Sequence, residues 1–278
     1  MKSLRTCLFA AAVAVPLALA GCSSSGGGSA PSSTTPTTTA GTSTAAASDN
    51  GGGTQVVKGS ITVYAASSLT GAFTTLKSDF EKLYPGTSVT LTFGASSDLA
   101  TQINQGAPVD VFASAAPKNM QQVGANALQA QNFASNVAEI AVPAKNPGKI
   151  TKLADLARSG VKVAVCAPAV PCGAIATQVF KNAGISVKPV AQESDVKHTL
   201  ALAVSGEADA AVVYVTDVLS AGKSVKGITI PAADNASTEY PIARLKNAKN
   251  AAVAEAWVQY VLTPAAQKVL TADGFRKP

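Results

Sequence analysis

The chain has 278 residues, of which 47% are hydrophobic and 14% charged, and its formal net charge is +6. This length can form one large or two small domains, and the apolar content can fill a core. The positive charge is not gathered in a basic run, and the 5% of aromatic residues are not interleaved with Lys or Arg. The composition therefore argues against a nucleic-acid-binding surface.

The first segment, residues 1–21, is predicted to be a signal peptide. Lys2 and Arg5 form a basic start, and an apolar stretch over 7–20 follows that is too short to span a membrane as a helix. It ends in Leu-Ala-Gly before Cys22, an order that resembles the bacterial lipoprotein signal. The resemblance implies a lipid on Cys22 and an extracytoplasmic protein anchored to the cell membrane. An ordinary cleaved secretion signal is the alternative.

The next segment, residues 22–57, is rich in Ser, Thr, Gly, Ala and Pro and almost free of charged or bulky side chains. Such a composition cannot bury enough surface to fold, so it predicts a disordered tether. A flexible coil of this length spans about 30–35 Å on average. That reach suits a linker that holds a folded domain away from a membrane.

The rest of the chain alternates between predicted strands and helices. The strands are expected at 61–65, 89–93, 110–114, 137–142, 161–165, 186–190, 210–214, 228–231 and 240–243. The helices are expected at 69–84, 99–105, 118–123, 151–156, 173–182, 196–204, from 216, at 251–262 and at 264–270. Such alternation predicts an α/β fold with mainly parallel sheets flanked by helices. About 220 folded residues with two similar strand–turn–helix sets indicate two lobes.

Two of the four cysteines, Cys166 and Cys172, lie in the folded part around the Pro-rich stretch 167–171. An extracytoplasmic setting is oxidising, which favours a disulfide bond between them. Two free thiols or half of a metal site are the alternatives. No stretch rich in His or Cys supports a metal site.

Four strand-to-helix turns stand out because they carry small or hydroxyl-bearing residues and no Arg or Lys. They are Ser67-Ser68, Ser96-Ser97, Pro171-Cys172-Gly173 and Asp195-Val196. Helix N-termini present unpaired N–H groups and partial positive charge, which suits an anion. Tyr214 ends a strand and can add a phenol. The structural alternative is that Ser68 and Ser96 only cap helices and that Tyr214 is an ordinary strand residue.

Five motifs in this part of the chain resemble one known family. They are Val63-Tyr-Ala-Ala-Ser-Ser-Leu-Thr70, Phe93-Gly-Ala-Ser-Ser-Asp-Leu-Ala100, Gly106-Ala-Pro-Val-Asp-Val-Phe-Ala-Ser-Ala115, Ala211-Val-Val-Tyr-Val-Thr-Asp217 and Asp273-Gly-Phe275. From about residue 58 to 278 the chain resembles the periplasmic molybdate-binding component of ABC transporters, a type II solute-binding protein. The motifs are specific together, although none is specific alone.

The resemblance implies a ligand-binding set for a tetrahedral oxyanion, either molybdate or tungstate. Two serine hydroxyls correspond to Ser68 and Ser96, with Ser67 and Ser97 as the neighbouring alternatives. The expected backbone donors and the phenol are those of Cys172, Val196 and Tyr214. Family members often have Ala in place of Cys172, which a backbone donor tolerates. No metal cation and no cofactor are implied.

The resemblance also implies the lobe boundaries and the partners. Residues 58–140 and 240–278 form lobe 1, residues 141–239 form lobe 2, and strands near 139–142 and 239–243 form the hinge. Closure of the lobes on the ligand is then the state that a membrane permease recognises. The protein is expected to act as a monomer.

Three other functions compete with this one. A binding protein for another tetrahedral oxyanion such as sulfate uses the same kind of site. A serine hydrolase lacks support, because no Gly-x-Ser-x-Gly elbow is present and the only histidine, His198, falls within a predicted helix. The third is a lipoprotein with an adhesive or structural role. The sequence therefore predicts a binding protein and not an enzyme.

Overall fold

The computed structural model describes residues 57–278. The predicted signal peptide, Cys22 and nearly all of the predicted tether lie outside the described residues. Val57, the last residue assigned to the tether, is buried in a hydrophobic core. Within residues 57–278, no helix combines the length and the apolar character that crossing a bilayer requires.

Nine strands and eight α-helices make up the described part of the chain. The strands are β1 Gly59–Ala66, β2 Thr87–Gly94, β3 Val111–Ala113, β4 Ala127–Pro143, β5 Val163–Cys166, β6 Ala191–Glu193, β7 Ala210–Tyr214, β8 Val225–Thr229 and β9 Ser237–Leu245. The helices are α1 Thr70–Leu83, α2 Ser96–Asn104, α3 Pro117–Val123, α4 Pro171–Asn182, α5 Val196–Ser205, α6 Val215–Ala221, α7 Ala251–Val261 and α8 Pro264–Ala272. This alternation confirms the predicted α/β class.

The strands follow the order β2-β1-β3-β9-β4-β7-β5-β6, with β8 paired to β4. The outer pairings are parallel, as between β1 and β2 and between β5 and β6. The central pairings of β4 with β7, β8 and β9 are antiparallel, so the sheet is mixed. The centre is antiparallel because the long strand β4 pairs with β9 through its N-terminal part and with β7 and β8 through its C-terminal part.

Strand β4 is the largest difference from the sequence prediction, which placed a strand only at 137–142. Residues 129–132 of this strand are all exposed and include two Gln and one Asn, and Gln129 has φ 49, so no apolar run marks its N-terminal part. The pairing with β9 shifts register twice in this region. Pairing with a distant strand, rather than a local pattern, therefore creates the first ten residues of β4.

The strand predicted at 186–190 is wrong. These residues are not in a strand, and the short strand β6 begins at Ala191. Pro189 lacks an N–H and cannot donate to a sheet ladder. The N–H of Val190 is the first in this segment to bond to β5, through the carbonyl oxygen of Val163.

The two ends of the sheet have different cores, and we name them by the residue that each contributes to the site. The serine side contains β1–β3, β9, α1–α3, α7 and α8, and its core includes Phe73, Phe80 and Trp257. The cysteine side contains β5–β8 and α4–α6, and its cores consist mainly of Ala, Val, Leu and Ile, with Tyr214 as a buried aromatic residue. In α7, Val253, Trp257 and Val261 are buried and lie on the face that packs into the core of the serine side. The predicted lobe boundaries remain a prediction.

Candidate functional site

A small space lies where the serine side and the cysteine side meet. Its volume is ≈ 10 Å³, about what one water-sized sphere occupies. Its lining residues are Ala66, Ser67, Ser68, Gly94, Ala95, Ser96, Ala115, Val170, Pro171, Cys172, Asp195 and Val196. The space thus brings together all four turns that the sequence singled out, and four of the five predicted ligand-binding residues.

The starts of three helices lie at this space. Ala95, Val170 and Asp195 have extended backbone and precede α2, α4 and α5 directly. The first N–H groups of a helix have no partner within the helix. Within residues 57–278, the backbone N–H groups of Ser96, Cys172 and Val196 donate to no protein acceptor. They are therefore free to bind an anion in the space.

Ser96 is held in an orientation that leaves its proton available. Its side chain is buried, and its Oγ accepts a hydrogen bond of 2.9 Å from the N–H of Ala115. A hydroxyl has a single proton, so Ser96 can donate it to a ligand while it accepts from Ala115. Ser97 is turned away toward the carboxylate of Asp98 and does not line the space. The geometry favours Ser96 over Ser97.

Ser67 and Ser68 both lie in a short 3₁₀ turn at residues 67–69, and both line the space. The backbone carbonyl of Ser67 accepts from the hydroxyl of Thr70. The Oγ of Ser68 lies 2.9 Å from the phenol oxygen of Tyr240. Both side chains are buried, so lining alone does not separate the two serines.

Tyr214 occupies a different place from the other predicted residues. It is buried at the end of β7 and is not among the residues that line the space. Its ring lies 6.3 Å from that of Tyr240, and its phenol oxygen has no hydrogen-bond partner within residues 57–278. Burial raises the pKa of Tyr214 well above its ordinary value, so the phenol stays protonated.

Sequence reasoning missed Tyr240, which lies behind Ser68. The sequence predicted a strand at this position, but Ser68 and Tyr240 are 172 residues apart. No local pattern signals that contact, because it depends on the pairing of β9 beside β3 and on the packing of both against α1.

The turn that carries Cys172 is tightly constrained. Cys166 and Cys172 form a disulfide bond with their Cα atoms 5.6 Å apart, which ties the end of β5 to the start of α4. A Cβ atom at Gly173 would lie 1.9 Å from the carbonyl oxygen of Ala167, so only glycine fits there. The sequence identified the cysteines, but not the steric requirement at Gly173, which no local pattern signals.

Asp195 is the one charged residue that lines the space, and its carboxylate is already engaged. Its Oδ1 accepts from the N–H groups of Lys197 and His198, and its Oδ2 lies 3.1 Å from the ring of His198. The cap therefore satisfies the second and third N–H groups of α5 and leaves the first, that of Val196. His198 is exposed and lies in α5.

No cation lines the space, and within residues 57–278 no group of three or more His, Cys, Asp or Glu residues could hold a metal ion. The donors are hydroxyl and backbone N–H groups, which are neutral. Such a site can stabilise an anion without burying a second formal charge. Chemically, the arrangement can hold a small, fully ionised anion by hydrogen bonds alone.

The chain matches the family described as "Bacterial extracellular solute-binding protein" over residues 61–276. It is 41% identical over 222 residues to the molybdate-binding protein ModA of Mycobacterium tuberculosis H37Rv, which covers 79% of this chain and 85% of that protein. ModA of Escherichia coli K12 is 34% identical over 233 residues, covering 78% of this chain and 89% of that protein. The periplasmic molybdate-binding protein of Azotobacter vinelandii shares the fold, with a TM-score of 0.71 and 23% identity over 78% of this chain and 99% of its own.

Proposed function

This chain belongs to the bacterial extracellular solute-binding proteins, and from that premise we propose that it captures molybdate or tungstate for an ABC permease. The family resemblance inferred from the sequence motifs is thereby confirmed. The observation that carries the proposal is the convergence of two serines and three helix starts on one space without a cation. Relatives that are named molybdate-binding proteins cover most of this chain and support the choice of ligand.

The proposed ligand-binding residues are Ser68, Ser96, Cys172, Val196 and Tyr214. The serines donate through their hydroxyls, and Cys172 and Val196 donate through their backbone N–H groups. Each hydrogen bond to a charged oxygen contributes about 1.5–3 kcal/mol. Tyr214 is not among the lining residues, but its buried phenol has no hydrogen-bond partner within residues 57–278, and we propose that it donates to the anion when the lobes close.

The neutral donors also predict which anions the site prefers. Molybdate and tungstate are dianions near neutral pH, with longer metal–oxygen bonds than the sulfur–oxygen bonds of sulfate. Hydrogen phosphate carries a proton, which requires an acceptor at the site. The only carboxylate that lines the space, that of Asp195, is engaged by α5 and His198. We therefore expect strong binding of molybdate and tungstate, weak binding of sulfate and rejection of phosphate.

The proposed cycle is capture outside the cytoplasm followed by delivery to the permease. Residues 58–140 with 240–278 and residues 141–239 act as two lobes that close on the anion, and the closed monomer is recognised by the permease. The donors support this division, since Ser68 and Ser96 lie on the serine side and Cys172 and Val196 on the cysteine side. The protein acts by binding and release, without catalysis.

We also propose that a lipid on Cys22 anchors the protein to the membrane after removal of residues 1–21. The ordered signal before Cys22 supports this. Cys22→Ala is expected to release the protein from the membrane fraction or to leave an unprocessed precursor. Labelled fatty acid that still appears on the Cys22→Ala chain would contradict the anchor.

Calorimetry of the purified protein against four anions tests the proposed ligand. Molybdate, tungstate, sulfate and phosphate are titrated at the same pH and ionic strength. We expect saturable binding of molybdate and tungstate, and no measurable heat of binding for phosphate. Phosphate that binds as tightly as molybdate would reject the assignment, and tight sulfate binding alone would reassign the site to sulfate.

A further inference from the structure

The contact between Ser68 and Tyr240 lies directly behind the candidate anion site. Tyr240 is fully buried, and its phenol oxygen lies 2.9 Å from the Oγ of Ser68. Its ring is fixed by edge contacts with Phe133 and Phe275, whose ring centroids lie 6.3 and 5.3 Å away. Ser68 therefore lines the site and also contacts a phenol whose ring is packed between other aromatic side chains.

The single proton of each hydroxyl restricts how this pair can be arranged. Ser68 has one proton, and a fully ionised oxyanion can only accept hydrogen bonds. If Ser68 donates to the anion, the proton between Ser68 and Tyr240 has to come from Tyr240. The phenol is able to supply it, because burial raises the pKa of Tyr240 and keeps it protonated.

The surroundings of Tyr240 support the same direction of donation. The amide of Asn136 is fully buried and donates to the hydroxyl of Thr216 at 2.9 Å. Within residues 57–278, Ser68 is the one side chain within hydrogen-bond distance of the Tyr240 phenol oxygen. A buried phenol proton with a single acceptor within reach is directed to that acceptor, because an unpaired buried donor is costly.

We propose that Tyr240 is a positioning residue that makes Ser68 a donor toward the ligand and thereby favours tetrahedral anions that carry no proton. To accept a proton from a ligand, Ser68 would have to turn its own proton away from the anion. The direction toward Tyr240 is already occupied by the phenol proton, so the Ser68 proton would be left without an acceptor in a buried site. This inference rests on the proposed function, because it concerns the same anion site.

Ser96, like Ser68, has one protein partner at its Oγ that leaves the serine proton for the ligand. Its Oγ accepts from the backbone N–H of Ala115, which is a donor under all conditions. Ser96 is thus made a donor by the main chain, which substitution of a side chain cannot change. Ser68 is made a donor by the side chain of Tyr240, so the contribution of Ser68 to the preference for unprotonated anions can be removed by mutation of Tyr240.

Tyr240→Phe is the direct test, because it deletes the phenol oxygen and retains the ring that packs against Phe133 and Phe275. Molybdate binding is expected to weaken about two- to tenfold, the effect of one neutral hydrogen bond. The ratio of molybdate to phosphate affinity is expected to fall. Tyr260→Phe is the matched control, since Tyr260 is a largely buried tyrosine that does not line the site, and it should change neither quantity.

A double-mutant cycle with Ser68→Ala separates positioning from a general effect on folding. If Tyr240 acts through Ser68, Tyr240→Phe should have no further effect on binding in the Ser68→Ala background. The same loss in both backgrounds would overturn the inference. Failure of the wild-type protein to bind any of the four oxyanions would instead reject the proposed function, so the two failures are distinguishable.

Replacement of Tyr240 with 3-fluorotyrosine tests the direction of the hydrogen bond without deleting it. The fluorinated phenol is more acidic and therefore a stronger donor. Molybdate binding should tighten if Tyr240 donates to Ser68. Unchanged or weaker binding, in a protein with the wild-type melting temperature, would contradict the proposed direction.

Discussion

The two sides of the candidate site present different kinds of donor. The serine side contributes side-chain hydroxyls, each oriented by one partner, Ala115 for Ser96 and Tyr240 for Ser68. The cysteine side contributes backbone N–H groups held by a disulfide bond and a helix cap. Side-chain donors can be removed singly by mutation, whereas backbone donors can be displaced only by distorting the chain. We therefore expect local, graded effects on the serine side and larger, structural effects on the cysteine side.

The largest effect is expected from Gly173→Ala on the cysteine side. The added Cβ would meet the backbone of Ala167 at 1.9 Å, so the start of α4 has to shift. We expect a loss of about 3 kcal/mol in the free energy of unfolding, with loss of measurable molybdate binding. Chemical denaturation and calorimetry measure the two quantities.

Gly184→Ala is the matched control for Gly173→Ala. A Cβ at Gly184 meets no atom within 4 Å, although its φ of +63 disfavours alanine. We expect a loss of about 1 kcal/mol in the free energy of unfolding and unchanged binding. Equal effects of the two substitutions on binding would show that the steric contact at Ala167 does not shape the site.

Ser68→Ala and Ser96→Ala are expected to weaken molybdate binding about ten- to a hundredfold each. Each removes a hydroxyl that donates to a charged oxygen, and about 1.4 kcal/mol corresponds to a factor of ten. Ser67→Ala and Ser97→Ala are the matched controls and should have much smaller effects. If Ser67→Ala weakens molybdate binding as much as Ser68→Ala does, the assignment of the hydroxyl donor to Ser68 is wrong.

The disulfide bond is expected to contribute about 2 kcal/mol to the free energy of unfolding, at the low end for so short a loop. Cys166→Ala combined with Cys172→Ala should lower stability by that amount and weaken binding less than either serine substitution, because the N–H at position 172 is retained. Mass spectrometry of the unreduced protein checks that the bond forms. Two thiols that alkylate without prior reduction would contradict it.

The smallest effect is expected at Glu139, in β4 where the two sides join. Burial raises the pKa of Glu139 above its ordinary value of 4.5. The folded state thus prefers the protonated form, so this residue's favourable contribution to stability is present below about pH 4.5 and is lost as the pH rises through the higher folded pKa. Glu139→Gln should reduce the fall in stability above pH 4.5.

Local patterns in the sequence predicted most of the fold. The helices expected at 69–84 and 251–262 are observed as α1 and α7, each with buried residues at spacings of three and four. The first part of β4 could not be predicted, because its polar residues become a strand only by pairing with β9. The strand expected at 186–190 failed where Pro189 interrupts the ladder.

The candidate site also has parts that local sequence predicts and parts that only the fold reveals. Hydroxyl-bearing turns between strands and helices are visible in the sequence, and the structure brings Ser68, Ser96, Cys172 and Val196 to one space. The partners that orient these donors are distant in sequence, as Tyr240 is from Ser68, and only the fold reveals them. The assignment of Tyr214 as a direct donor remains a prediction, since its phenol lies outside the lining residues.

Anomalous diffraction from crystals grown with tungstate tests the central claim most directly, because the heavy atom marks the position of the anion. One strong peak is expected between Ser68 and Ser96 on one side and the N–H groups of Cys172 and Val196 on the other. Its oxygens should lie about 2.7–3.1 Å from these donors. A peak found only at exposed lysines, or no peak in crystals of a protein that binds tungstate in solution, would contradict the account.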